Sequence, residues 1–179
     1  MSLRERVYSI LFVSATDNFT SAFADLLPET KYSPIHTASS VSAAKRILAE
    51  KTLDFVISNA PLPHDIGTRF AIDTCTSKQS VVLLLIKSDI HAGIHDKVVE
   101  YGVFTLPKPT SKPTMIHALS WMESARERLR QFEKKTLSIK EKMAEIRLVN
   151  KAKWILISEL KMSEPDAHRY IEKQAMDRC

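Results

Sequence analysis

Short apolar runs alternate with segments of helical spacing over the first 110 residues. Five segments have the length and composition of strands, at residues 7–13, 35–37, 55–58, 81–86 and 103–106. Most of them are continuously apolar instead of alternating, which is typical of parallel sheets covered on both faces. Helical segments follow the strands, at about residues 18–27, 41–50, 67–76 and 94–100, and Ser40 is a predicted cap. We therefore predict an α/β domain with a doubly wound, five-stranded parallel sheet, whose functional site lies at the carboxyl ends of the strands.

A single long helix is predicted from residue 112. Ser111 is its predicted cap, Pro113 lies in its first turn, and neither Gly nor Pro recurs before Pro165. Steps of three and four residues connect a stripe that is almost entirely apolar, as in a heptad repeat: Met115, Ala118, Met122, Ala125, Leu129, Phe132, Thr136, Ile139, Met143 and Ile146. Asn150 occupies the next equivalent position. The pattern predicts a coiled-coil helix.

The stripe on this helix needs a partner. A second copy of the chain is the simplest one, and the residues predicted to form the homodimer contact are Met122, Leu129, Phe132, Ile139, Met143 and Ile146. For the first half alone, residues 115–125, the helix packing back on its own α/β domain is a second interpretation.

A second, shorter helix is predicted at the C-terminal end. Ser163 is followed by Pro165 and Asp166, a combination that marks a helix start. Apolar residues at helical spacing line both this helix and the end of the one before it, which predicts a partial helical bundle. The predicted organisation is an α/β core over residues 1–111, a coiled coil over 112–146 and a helical domain over 147–179.

Charge is distributed unevenly along the chain. Residues 1–125 carry 12 basic and 12 acidic side chains, whereas residues 126–179 carry 14 and 9, which accounts for the whole net charge of +5. A basic helical tail suits a polyanionic partner, and a solvated Lys-rich coiled-coil surface is the other interpretation. The chain has no apolar run long enough to span a membrane, no signal peptide and only two distant cysteines, so a cytoplasmic location is expected.

The strand ends of the α/β domain resemble those of response-regulator receiver domains, which have a flavodoxin-like fold. The resemblance lies in residues 54–59, in Leu62-Pro63 with the later Gly67, and in Lys108-Pro109. It implies a phosphoryl-accepting carboxylate at the end of the third strand, two acidic Mg²⁺ ligands after the first strand, and an aromatic switch residue in the fifth strand.

Every one of these positions departs from the receiver pattern. Asn59 replaces the acceptor carboxylate, Ser14 and Ala15 replace the acidic pair, and Thr105 replaces the aromatic residue. An amide is not nucleophilic in the way a carboxylate is, and Mg²⁺ needs charged oxygen ligands. We predict a pseudo-receiver that does not use aspartyl phosphate. Lys108 either pairs with Asp65 or water, or helps the pocket bind a small anion or a partner loop.

The C-terminal helices resemble the first two helices of the ANTAR domain, an RNA-binding antiterminator module. The matching residues are Arg147, Ala152, Lys153, Leu156, Met162, Ser163, Glu164, Asp166, Ala167, Ala175 and Met176. That family has three helices and the third is missing here, so we expect a truncated chain, with coverage of the open helical face by a partner subunit as the alternative. The resemblance implies binding to hairpin loops in nascent RNA. Charge and helical face select the candidate RNA contacts Arg147, Lys151, Lys153, Arg169, Lys173 and Arg178. Trp154 is either a core or interface residue or a stacking platform for bases.

The favoured function is that of a response-regulator-like transcription antitermination regulator. The alternatives are a protein–protein signalling module controlled by a sensor partner and, less well matched, a DNA-binding regulator. The sequence has no Gly-rich phosphate loop and no catalytic triad or paired carboxylates, so neither an enzymatic activity nor a cofactor is predicted. His91 and His95 are four residues apart, but Gly93 predicts a loop and no third ligand is suitably spaced, so no metal site is predicted.

Overall fold

The computed structural model describes residues 6–24, 26–62, 66–78 and 80–177. Its elements are β1 (Tyr8–Ser14), α1 (Asp17–Ala24), β2 (Tyr32–Ala38), α2 (Val41–Glu50), β3 (Phe55–Asn59), α3 (Thr68–Lys78), β4 (Val81–Lys87), α4 (Ser88–Val98), a 3₁₀ turn (Val99–Tyr101), β5 (Phe104–Lys108), α5 (Lys112–Leu160) and α6 (Glu164–Met176). The predicted alternation of five strands with helices is confirmed, and so is the cap at Ser40, whose Oγ accepts from the Ala43 amide.

All five strands are parallel and lie in the order β2-β1-β3-β4-β5. The register pairs Ser14 of β1 with Asn59 of β3 and Lys87 of β4 with Lys108 of β5. Because parallel strands end at one edge of the sheet, this register brings the predicted pocket residues together.

Each face of the sheet is covered by a separate apolar cluster. Ile10 and Phe12 point into the cluster with α1 and the first part of α5, whereas Leu11 and Val13 point into the cluster with α2, α3 and α4. Successive strand residues face opposite sides, so a continuously apolar strand is needed where both faces are buried. This arrangement confirms the doubly wound sheet.

The chain forms two compact units, residues 1–129 and 130–179, and α5 begins in the first and ends in the second. Each unit is described by itself below. The predicted domain borders at residues 111 and 146 remain predictions. Among the described residues, no helix combines the length and apolar character that crossing a membrane requires.

The first part of α5 packs on the sheet of its own chain. Met115, Ala118 and Met122 are buried there, with Met122 0% exposed, and Leu129 is partly buried against the same cluster. The assignment of Met122 to a dimer contact was therefore wrong, because its side chain is already covered within the chain. An amphipathic helix on a sheet uses the same steps of three and four residues as a coiled coil.

Polar contacts fix this part of α5 to the strands. Arg126 Nε lies 2.8 Å from Asp54 Oδ1, and Glu123 accepts from Lys31 Nζ at 2.7 Å and from the Tyr32 hydroxyl. Side chains from two neighbouring turns of α5 are thus tied to the edge of the sheet where β2 begins and β3 follows Asp54.

The loop predicted around Gly93 is wrong, because α4 begins six residues earlier than expected and includes this glycine. A glycine inside a helix costs about 1 kcal/mol relative to alanine. Burial of Ile94 and Val98 on the inner face of α4 offsets that cost.

Candidate functional site

The carboxyl ends of β1, β3 and β5 bring Ser14, Asn59 and Lys108 into one hydrogen-bonded chain. Lys108 Nζ donates to Asn59 Oδ1 at 2.6 Å and also to the carbonyl oxygen of Ala60. Asn59 Nδ2 in turn donates to Ser14 Oγ at 3.2 Å. Both polar ends of the Asn59 amide are therefore used inside the chain, at the position where the receiver resemblance implies a reactive carboxylate.

Ser14 is held by the loop that follows it. Its Oγ donates to the carbonyl oxygen of Thr16 at 3.0 Å and accepts from the Thr16 amide at 3.2 Å. The side chain is only 6% exposed. A hydroxyl engaged in this way, beside Ala15 and the neutral Asn59, offers no charged oxygen, so these residues do not fit the Mg²⁺ ion that the receiver fold implies.

The Lys108 ammonium is partly buried and is hydrogen-bonded to protein groups of the pocket. Burial, and then the nearby charge of Lys87, lower the pKa of the Lys108 ammonium below its ordinary value. Asp65, the other candidate partner of Lys108, lies outside the described residues. The hydrogen bonds to Asn59 and Ala60 explain how a partly buried cation is retained here.

Thr105 of β5 has a partner that the sequence did not indicate. Its Oγ1 lies 2.7 Å from Nδ1 of His95, whose ring stacks on that of His91 at a centroid distance of 5.8 Å. The four-residue spacing of the two histidines was visible in the sequence, but only the packing of α4 beside β5 relates them to Thr105. Within the described part of the chain, no group of three His, Cys, Asp or Glu residues is placed to hold a metal ion.

In the second unit, a short turn joins α5 to α6. Lys161 adopts a left-handed backbone conformation with φ of 54°, and Ser163 Oγ accepts from the Asp166 amide at 3.3 Å as the cap of α6. Ala167 is fully buried, and Lys153 Nζ lies 3.1 Å from Glu164 Oε1. This pair leaves the Lys153 side chain 18% exposed, so Lys153 is less available to a ligand than predicted.

The other candidate RNA contacts in the described chain are exposed. Arg147 and Lys151 lie one turn apart on α5, and Arg169 and Lys173 lie one turn apart on α6. Arg178 lies outside the described residues. Trp154 is 71% exposed, which excludes a core position within the single chain and leaves the interface and stacking interpretations open.

Solved structures share the fold of the first unit. The signal receiver domain of an HD domain-containing protein from Pseudomonas fluorescens Pf-5 is similar with a TM-score of 0.62 and 22% identity, over 73% of this chain and 96% of that one. The chemotaxis response regulator CheY4 of Vibrio cholerae has a TM-score of 0.56 and 18% identity, over 65% and 98%. At these identities the likeness shows the receiver fold alone.

The C-terminal end matches a family model. Residues 138–179 match the ANTAR domain, starting before the predicted border at residue 147. The chain therefore joins a receiver fold to an ANTAR domain. It is also 25% identical over 156 residues to the transcriptional regulatory protein PdtaR of two Mycobacterium tuberculosis strains, across 87% of this chain and 76% of that protein.

Proposed function

We propose that this chain is a transcription antitermination regulator that binds hairpin loops in nascent RNA through α5 and α6, with no enzymatic activity of its own. The observation that carries the proposal is the set of exposed basic side chains within the ANTAR match, Arg147 with Lys151 on α5 and Arg169 with Lys173 on α6. Each pair lies along one helix face, so two neighbouring phosphates are within reach of one helix.

Electrostatics and one aromatic side chain favour RNA as the ligand. The excess of 14 basic over 9 acidic residues lies in positions 126–179, which include the whole ANTAR match. Exposed Trp154 lies one turn from Lys151 on α5, so an unpaired base could stack beside a phosphate contact. Loops of hairpins offer such unpaired bases, whereas duplexes do not.

The receiver unit, in this proposal, works without phosphorylation. Asn59, Ser14 and Lys108 are linked by hydrogen bonds, and none of them is a carboxylate that could accept a phosphoryl group. Control then has to come from a regulatory partner protein or from a ligand other than phosphate.

The active species in this proposal is a homodimer. Ile139, Met143 and Ile146 continue the α5 stripe in the second unit and are 58%, 52% and 59% exposed. Three exposed apolar side chains in heptad register favour burial against a partner helix. The same stripe of a second copy of the chain is complementary to this one. A dimer would offer two basic ANTAR domains to RNA, one from each copy of the chain.

Salt dependence of RNA binding tests the proposal. Fluorescence anisotropy of the full chain with a labelled hairpin should give an affinity that falls with salt. The double variant Arg147→Gln, Lys151→Gln should reduce the slope of log K against log salt by about 1.4, since each single-strand phosphate contact contributes about 0.7.

Lys134→Gln with Lys135→Gln is the matched control, because both lysines are exposed on α5 outside the ANTAR match. It removes the same charge and should leave the slope unchanged. An equal reduction of the slope in the two double variants would show that net charge alone, and not the position of the basic residues, determines RNA binding. If hairpin binding does not depend on salt, or if the chain does not bind hairpins, the protein–protein signalling module would be favoured instead.

A further inference from the structure

An apolar cavity of about 270 Å³ lies between α1 and the first turn of α5, in the receiver unit. Its walls include Phe19, Phe23, Leu26, Leu85 and Met115. Phe23, Leu85 and Met115 belong to the core cluster on this face of the sheet and are 5% exposed or less. The cavity thus lies beside a packed core, and the loop between β5 and α5, residues 109–111, completes its lining.

The size of the cavity suits a small organic molecule. An apolar cavity of about 150 Å³ is sufficient for a benzene molecule. The additional volume here accommodates a ring with a short chain. Phe19 and Phe23, whose centroids are 5.2 Å apart with an interplanar angle of 45°, offer both an edge and a face to such a ring.

The charged residues in the described lining of the cavity are all cationic. Lys108 and Lys112 both line the cavity, and the described lining includes no Asp or Glu. Lys112 is exposed and lies in the first turn of α5, where the helix dipole adds partial positive charge. The Lys108 ammonium has three protons, of which two are used by Asn59 and Ala60, so one remains for a further acceptor.

We propose that this cavity binds a small amphipathic carboxylate, an aryl or branched alkyl acid of about ten non-hydrogen atoms. The apolar body packs against the phenyl rings of Phe19 and Phe23, and the carboxylate lies next to Lys108 and Lys112. Charge complementarity selects an anion over a neutral or cationic molecule of the same shape. None of the lining residues is a candidate RNA contact, and the test of the cavity does not use RNA, so the two proposals fail independently.

Three probes of one shape and different charge test the site by isothermal titration of the full chain. We expect 3-phenylpropionate to bind saturably, 3-phenylpropan-1-ol to bind about three- to fivefold more weakly, and 3-phenylpropylamine to bind most weakly. Lys112→Met should bring the affinity of the acid toward that of the alcohol and leave the alcohol unchanged. Equal affinities for acid and alcohol in the unaltered chain would overturn the proposal.

Filling the cavity gives an independent test. Ala22 of α1 lines the cavity and is exposed, so Ala22→Phe should remove binding of acid and alcohol alike while the thermal midpoint stays within a few degrees of the unaltered chain. Ala92→Phe, on the exposed face of α4, is the matched control and should bind normally. Undiminished binding in Ala22→Phe contradicts the proposal. So does the absence of saturable binding of any probe up to about 10 mM, which would leave a helix of a partner protein as the occupant to consider.

Discussion

Lys108 donates a hydrogen bond of 2.6 Å to the side-chain oxygen of Asn59, so a cation and a neutral amide are paired at the end of β3 and β5. Asn59 passes the interaction on to Ser14, which is itself fixed by Thr16. A pocket of receiver type is therefore held together by its own side chains. The Lys108 ammonium is the charged donor of this chain of hydrogen bonds.

Replacing this ammonium should destabilise the receiver unit. In Lys108→Met, the oxygens of Asn59 and Ala60 lose their donor in a partly buried site, and we expect the free energy of unfolding to fall by about 1–3 kcal/mol. Urea denaturation at neutral pH measures the change. Lys87→Met is the control: Lys87 is exposed, and its charge lowers the pKa of Lys108, so its removal should leave stability unchanged or slightly increased. Equal losses in the two variants would show that the Lys108 hydrogen bonds contribute little.

The same pocket should not accept a phosphoryl group. Incubation with acetyl phosphate and Mg²⁺, followed by intact-mass spectrometry, should show no phosphoryl adduct on the unaltered chain. Asn59→Asp should also remain unmodified, because Ser14 and Ala15 supply no carboxylate for the metal that the transfer requires. A receiver domain with its acidic residues present serves as the positive control for the reagent. An adduct on the unaltered chain would contradict a phosphate-independent receiver.

Much of the fold of the receiver unit could be predicted from its sequence, because a strand buried on both faces needs apolar residues at consecutive positions. Strands such as β4 (Val81–Lys87) are apolar at every position except the last, and a parallel sheet needs that composition. The position of Asn59 at the end of β3 follows from the same run. The start of α5 is equally local, since Ser111 Oγ accepts from the Thr114 amide as its cap.

What the sequence could not show is which partner covers each part of a helix. Met122 and Met143 occupy equivalent heptad positions, yet Met122 is 0% exposed and Met143 is 52% exposed. The spacing of three and four residues is the same for a helix packed on a sheet and for a helix packed on a helix. The contact between His95 and Thr105 was hidden for a related reason, because it depends on how α4 lies beside β5.

The contact between Tyr32 and Glu123 should contribute measurably to stability. The Tyr32 hydroxyl donates to the Glu123 carboxylate, and burial followed by this carboxylate raise the pKa of Tyr32 above its usual range. Tyr32→Phe should lower the free energy of unfolding by about 1–2 kcal/mol, since hydrogen bonds to charged groups are stronger than neutral ones. Lys31→Met removes the more exposed ion pair to the same carboxylate and should cost less than about 1 kcal/mol. A larger loss of unfolding free energy in Lys31→Met than in Tyr32→Phe would show that the ion pair of Glu123 contributes more than its hydrogen bond from Tyr32.

Acid should weaken the receiver unit partly through His36 of β2. Burial, and then the charge of Lys51, lower the pKa of His36 below its ordinary value, so the folded state favours the neutral ring. The unfolded chain takes up this proton at about pH 6.5, so the contribution is complete above that pH and is lost as the pH falls toward the depressed folded-state pKa. Between about pH 7.5 and about pH 5, measured by urea denaturation, the unaltered chain should lose more stability than His36→Gln, which has no group that titrates at this position. Parallel pH profiles would contradict this role.

The exposed half of the α5 stripe should form the dimer contact. Ile139 and Leu137 are 58% and 59% exposed, but only Ile139 lies on the heptad stripe. In a coiled-coil dimer, Ile139→Asp places two carboxylates at the seam and removes two apolar side chains of about 1.5–3 kcal/mol each, so the dimer dissociation constant should rise about a hundredfold or more. Leu137→Asp makes the same chemical change outside the stripe and should leave the constant unchanged, as sedimentation equilibrium of the two variants would show. Dissociation by both variants would point to a contact that does not follow the heptad. If the unaltered chain is a dimer and neither variant dissociates, the dimer contact lies elsewhere on the molecule. A partner other than a second copy would then have to bury Ile139 and Met143.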